Sequence, residues 1–227
     1  MAKILNIETS TDICSVCISE NGKLLALAES REGYNHAAKL TTFIQKCLDE
    51  VGIKMDDIDA VALSQGPGSY TGLRIGVSVA KGICYALSKP MIAVDTLQAI
   101  AFACAQENQA DILYCPMIDA RRMEVYTAIY DIKNNIVDHL QAKIIDADSY
   151  KNYFEEGKKI MFCGNGAEKC QPVITSSNAF FSAIKCSSTH LISLSEKKFE
   201  TQVFEDTSYF EPLYFKAPNI TFPKRIL

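Results

Sequence analysis

The order in which strand and helix periodicities alternate constrains this chain more than any single motif. Residues 4–8, 13–19 and 23–28 are short runs rich in Ile, Val and Leu, as strands require. Residues 9–12 separate the first two, and Asn21-Gly22, a strong two-residue hairpin signal, separates the second from the third. The chain therefore opens as an antiparallel meander. Over residues 35–51 the spacing becomes helical, with Leu40, Phe43, Ile44, Cys47, Leu48 and Val51 on one face, Asn35 as N-cap and Gly52 as stop. Residues 58–64 predict a buried strand. A helix over 69–88 follows, stopped by Lys89-Pro90. A strand over 91–94 comes next, and then a helix capped by Asp95 that carries Leu97, Ile100, Ala101 and Ala105.

After Asp111 the order partly restarts. Residues 112–118, 123–130 and 136–141 predict three more strands, with Asn134-Asn135 turning between the last two. Residues 149–156 and 191–204 predict helices, and 159–163 a strand. Three antiparallel strands and then alternating helices and strands, done twice, predict the α/β class with two related lobes and a mixed sheet in each. A boundary near 106–111 gives an N-terminal lobe over 1–108 and a C-terminal lobe over 109–209. Residues 210–227 hold three prolines and predict an extended tail.

With 227 residues, 48% of them hydrophobic, the chain buries a core without staples. Its net charge is −4 and it has no Lys/Arg block of five, which argues against gripping nucleic acid alone. The opening MAKILNIETST has no long apolar run, and the longest one, residues 99–105, is far too short to span a membrane. The expectation is a cytoplasmic protein with no membrane association. The nine cysteines are odd in number and lie mostly in apolar runs (Cys84, Cys104, Cys115, Cys163), so they read as reduced core thiols.

The sequence GPGSYTGLRIG, residues 66–76, joins a strand to a helix. Such a turn either cradles an anion at the helix N-terminus or lets two backbones pack closely. It is not a Walker A motif, because Gly66 and Gly72 are too far apart and Leu73-Arg74 stands where Lys-Ser/Thr is required. In the helix that follows, Arg74, Ser78, Lys81, Tyr85 and Ser88 form one polar stripe roughly 80° wide at 100° per residue. The rest is apolar or small, so this helix is sandwiched by its own chain or meets a partner. Gly72, Gly76 and Gly82 each cost up to about 1 kcal/mol of helix stability against Ala, which predicts a close approach.

Other chemistry is thin. Cys14 and Cys17 are three apart in a strand and face opposite sides. His36, His139 and His190 are scattered, so no metal site is expected. There is no GxSxG elbow. Glu8 and Asp119 end the first strand of each half, where a nucleotide-binding lobe would place carboxylates; both positions also suit turn formers.

Four stretches, ILNIETSTDICSVCIS, SQGPGSYTGLRIGVSVAKG, IDARRMEVYTAIY and EPLYFKAP, resemble the bacterial TsaB family, also called YeaZ. In the second half the likeness is confined to IDARRMEVY, FCGNGA and the tail. The resemblance implies a two-lobed actin/Hsp70/hexokinase-like (RNase H-like) fold. It implies a non-catalytic subunit, without cofactor, for making threonylcarbamoyladenosine at position 37 of tRNA. The implied partners are a TsaD-type transferase and a TsaE-type ATPase, with tRNA reached through the complex and a homodimer as an alternative use of the same surface. TsaD-like proteins carry two histidines one helical turn apart after the comparable loop, whereas VDTLQAIAFACA here has none. The family usually has Asp where this chain has Glu8, which weakens a nucleotide–metal site. Glu8, Gly66, Gly68 and Asp119 would then be its vestige. The helix after the loop, with the helix before it, would form a bundle with the same elements of the partner, touching it through Leu40, Phe43, Arg74, Val77, Ser78 and Lys81. The alternatives are a homodimeric regulatory protein and a degenerate glycoprotease-like or sugar-kinase-like enzyme.

Overall fold

The computed structural model describes residues 2–31, 33, 35–108 and 111–216. The first sheet has β1 (Lys3–Glu8), β2 (Cys14–Glu20) and β3 (Lys23–Ser30) in an antiparallel meander. Asn21 and Gly22 both take positive φ, as the hairpin signal requires. β4 (Ala60–Gly66) and β5 (Met91–Asp95) add parallel strands on the other side of β1, giving the order β3-β2-β1-β4-β5. The second sheet contains β6 (Leu113–Asp119), β7 (Glu124–Tyr130), β8 (Ile136–Ile144), β9 (Ile160–Cys163) and β10 (Ala179–Phe181). Its order is β10-β9-β6-β7-β8, with β6, β7 and β8 antiparallel and β9 and β10 parallel. Each sheet is thus mixed and built to one plan, the α/β fold expected from the sequence.

Alternation along the strands sorts the core. Leu5, Ile7, Val16, Val61 and Leu63 face one side of the first sheet and pack under α1 (His36–Val51) and α2 (Tyr70–Leu87). Ile4, Ala60, Ala62, Ile92 and Val94 face the other side and meet Ala99 and Leu191.

Two helices cross between the sheets. α3 (Thr96–Asn108) follows the first sheet in the chain, yet its Leu97, Ile100, Ala101 and Cys104 pack with Tyr114, Ile118, Ala128 and Cys163 of the second. α6 (Ile192–Glu200) follows the second sheet, yet its Ser195 hydroxyl donates to the Asn6 side-chain oxygen of β1 at 2.8 Å. The Ser15 and Ser188 hydroxyls also meet at 2.8 Å.

Several sequence expectations differ in detail. Asn35 precedes α1 without a side-chain capping bond, whereas Gly52 ends it in the left-handed region. The helix expected over 149–156 is the shorter α4 (Lys151–Glu155), and that expected over 191–204 is mostly α6, which stops at Glu200. The four-residue α5 (Ala167–Cys170) and the three-residue β10 are too short to leave a periodic signal. All nine cysteines are buried and form no disulfide. Among the described residues no helix is long and apolar enough to cross a membrane.

Candidate functional site

Two surfaces stand out: the outer face of α2 and a cleft of about 2520 Å³ where elements of both sheets meet. The Ser69 side chain caps α2 by accepting from the Gly72 N–H at 3.3 Å. Gly72, Leu73, Gly76, Val77, Ala80 and Cys84 are buried. Ile75, Val79 and Ile83, like Phe43 of α1, are half-buried and pack against the first core.

The chain itself explains three of the close glycines. A Cβ on Gly72 would overlap the Thr9 carbonyl oxygen, one on Gly76 the Thr9 hydroxyl, and one on Gly68 the Ser10 carbonyl. The β1–β2 turn therefore lies directly on the start of α2, and the Ser69 N–H donates to the Ser10 carbonyl at 2.6 Å. The glycine loop is here a close-packing device. Gly82 is different. It is exposed, and a Cβ there would meet nothing within 4 Å.

The six expected partner contacts divide. Leu40 is 0% exposed and sits in the first core, which stabilises the fold by about 2 kcal/mol. Val77 is 6% exposed in the same cluster. Both are taken up in the chain's own packing, each on the buried side of its helix. Phe43 is half-buried, and Arg74 and Ser78 are exposed. Arg74 lies over the Tyr70 ring at 4.2 Å, and its Nε donates to the Tyr214 hydroxyl at 3.2 Å. Lys81 donates to the Ser208 carbonyl at 3.4 Å. The tail thus occupies one flank of α2, which helical spacing alone does not reveal. Between this flank and α1 the outer face is Thr71, Ser78, Gly82, Tyr85 and Ala86, with Tyr85 88% exposed.

The four residues expected as a vestigial anion site divide too. Gly68 and Asp119 line the cleft with Ser10, Asp12, Arg121 and Lys185; Glu8 and Gly66 do not. Glu8 is 1% exposed. Its Oε1 accepts from the Ser10 N–H at 2.6 Å and from the Ser64 hydroxyl at 2.9 Å. Burial pushes its carboxyl above the usual carboxylate range, against the pull of those hydrogen bonds. The carboxyl is thereby turned into the protein. Gly66, with φ of 114°, donates its N–H to the Thr96 hydroxyl at 3.2 Å and is covered by Leu213. Asp119 accepts from the Arg121 N–H at 2.8 Å and pairs with Lys169. Lys169 also donates to the Arg122 and Glu124 carbonyls, each at 2.7 Å, fixing the turn in which Arg121 and Arg122 both take positive φ. Among the described residues, no group of three or more His, Cys, Asp or Glu is arranged to hold a metal ion. Residues 217–227 of the expected tail lie outside the described residues.

Comparison with known proteins matches residues 31–221 to the family described as "TsaD: tRNA N6-adenosine threonylcarbamoyltransferase". Two curated relatives are each named "tRNA threonylcarbamoyladenosine biosynthesis protein TsaB". The one from Bacillus subtilis is 29% identical over 71% of this chain and 70% of its own length. The one from Escherichia coli is 37% identical over 60% of this chain and 58% of its own length. Among solved structures, YeaZ from Pseudomonas aeruginosa superposes with a TM-score of 0.82 over 94% of this chain and 100% of that one, at 24% identity, a likeness of fold. The chain belongs to the TsaB/YeaZ family, whose curated members are named for the biosynthesis of threonylcarbamoyladenosine in tRNA.

Proposed function

We propose that this chain is a non-catalytic subunit for threonylcarbamoyladenosine formation at position 37 of tRNA. It presents the outer face of α2, with the exposed side of α1, to a TsaD-type transferase, and a TsaE-type ATPase joins that pair. Gly82 carries the reading. A mid-helix glycine costs up to about 1 kcal/mol against alanine, and among the described residues no packed neighbour comes close enough to require it. A second helix crossing at Gly82 would require it, because absent side chains let two helix backbones approach. Ser78 and Ala86 keep the surroundings of that crossing small, and the exposed Tyr85 ring supplies an anchor of the kind that dominates interface energy. The inward carboxyl of Glu8 favours this reading over an enzyme using the β1 carboxylate on a cleft ligand.

The test is titration of a purified TsaD-type transferase with this chain and with Gly82→Leu. A Cβ at this position meets nothing within 4 Å among the described residues and leucine is a strong helix former, so the variant is expected to fold. The reading expects affinity to fall at least about tenfold. Unchanged affinity would exclude this face. Loss of self-association without loss of transferase binding would assign the face to a second copy of this chain.

A further inference from the structure

The described end of the chain runs from the first sheet's elements to the second's in a few residues. The Leu213 N–H donates to the Gln65 carbonyl at 2.8 Å, at the end of β4, and Leu213 covers Gly66. Tyr214 meets Tyr70 with ring centroids 4.5 Å apart and ring planes tilted by 38°, and it accepts from Arg74, so it is tied to the first turns of α2. Phe215 then meets Tyr126 of β7 edge-on at 6.1 Å, and Lys216 pairs with Glu124 at the start of the same strand. All four residues from Leu213 to Lys216 line the cleft.

We propose that residues 211–216 are a clasp, a strap across the cleft that holds the two sheets at one separation and is released without unfolding either. Its anchors on the two sides are of different kinds. On the first sheet's side they are a backbone hydrogen bond, a tilted ring contact and the hydrogen bond from Arg74 to Tyr214; on the second, a ring edge and an ion pair. Leu213, Phe215 and Lys216 are exposed and Tyr214 half-buried, so each contact is individually weak. The interiors of the strands beneath are buried: Leu5 and Ile7 of β1 and Cys115 and Met117 of β6 are all 0% exposed. Contacts of such unequal strength separate local release from global unfolding. Release leaves the sheets joined through α3 and its packing, and it widens the cleft between the β1–β2 turn and the β6–β7 turn.

Hydrogen–deuterium exchange of the full chain tests this, comparing the wild type with Tyr214→Ser/Phe215→Ser. Exchange in the cleft loops (residues 9–12, 68–72 and 119–126) is expected to rise about tenfold, with β1 and β6 as protected as before. A rise confined to residues 206–216, with the cleft loops at the wild-type rate, would overturn the proposal. Should the double variant also lose protection in β1 and β6, the milder Lys216→Glu decides. It is expected to speed the same loops by a smaller factor, and the charge swap Lys216→Glu/Glu124→Lys to slow them again. Loops unmoved by Lys216→Glu, or left fast by the swap, would overturn it as well.

Discussion

Gly72 and Gly82 carry the same side chain and do opposite things. Gly72 admits the Thr9 carbonyl oxygen onto α2, and Gly82 faces open space. Gly72→Ala is therefore expected to cost about 2 kcal/mol by overpacking against backbone, while Gly82→Ala is expected to gain up to about 1 kcal/mol of helix stability. Urea denaturation of the two variants measures both, and equal effects of one sign would contradict this assignment. Glu8 makes a second prediction. Its folded pKa is raised above 4.5 by burial, so the folded state holds the proton more tightly than the unfolded chain. That contribution is complete below the unfolded value and is lost as pH rises through the folded one. Wild-type stability should fall relative to Glu8→Gln across that interval, seen as diverging denaturation midpoints in a pH series. Parallel curves would show that the buried carboxyl does not govern it. Neither role was legible at the residue scale: the three glycines of this helix read alike until the β1–β2 turn is placed against the first two, and Glu8 read equally as a turn former or a vestigial cleft ligand because strand-end position says nothing about which way a carboxyl turns.

Element positions were more legible. Hydrophobic alternation located β1 to β9, and helical spacing located α1 to α3, because long amphipathic segments repeat their signal several times. The misses were elements of three and four residues and the assignment of faces on α2. Leu40 and Val77 were expected at a partner, yet each is the buried side of its helix. Helical spacing shows which residues share a face but not which face the sheet takes when nearly the whole girth is apolar or small. Val77→Asp is consequently a test of folding. It places an unpaired charge in the first core and should cost at least about 3 kcal/mol. Ser78→Asp, one residue on and exposed, should leave the thermal midpoint within a few degrees. Circular-dichroism melts separate the two, and similar midpoints would contradict the orientation of α2.

At the scale of the whole molecule, the repeated sheet plan was readable from the doubled order of periodicities. The exchange of α3 and α6 between the sheets was not, since a helix carries no mark of which sheet it will cover. The tail read as merely extended, whereas its rings and backbone tie α2 to β7. Two sheets joined in this way, with the β1 carboxyl buried and one face of α2 left exposed among the described residues, suit a scaffold. The most direct test is reconstitution with a TsaD-type transferase, a TsaE-type ATPase, a threonylcarbamoyl-AMP synthase, ATP and tRNA, following threonine incorporation into tRNA. Incorporation is expected to require this chain, to fail with folded Gly82→Leu and to be absent with the chain alone. Full incorporation without the chain would contradict the scaffold reading.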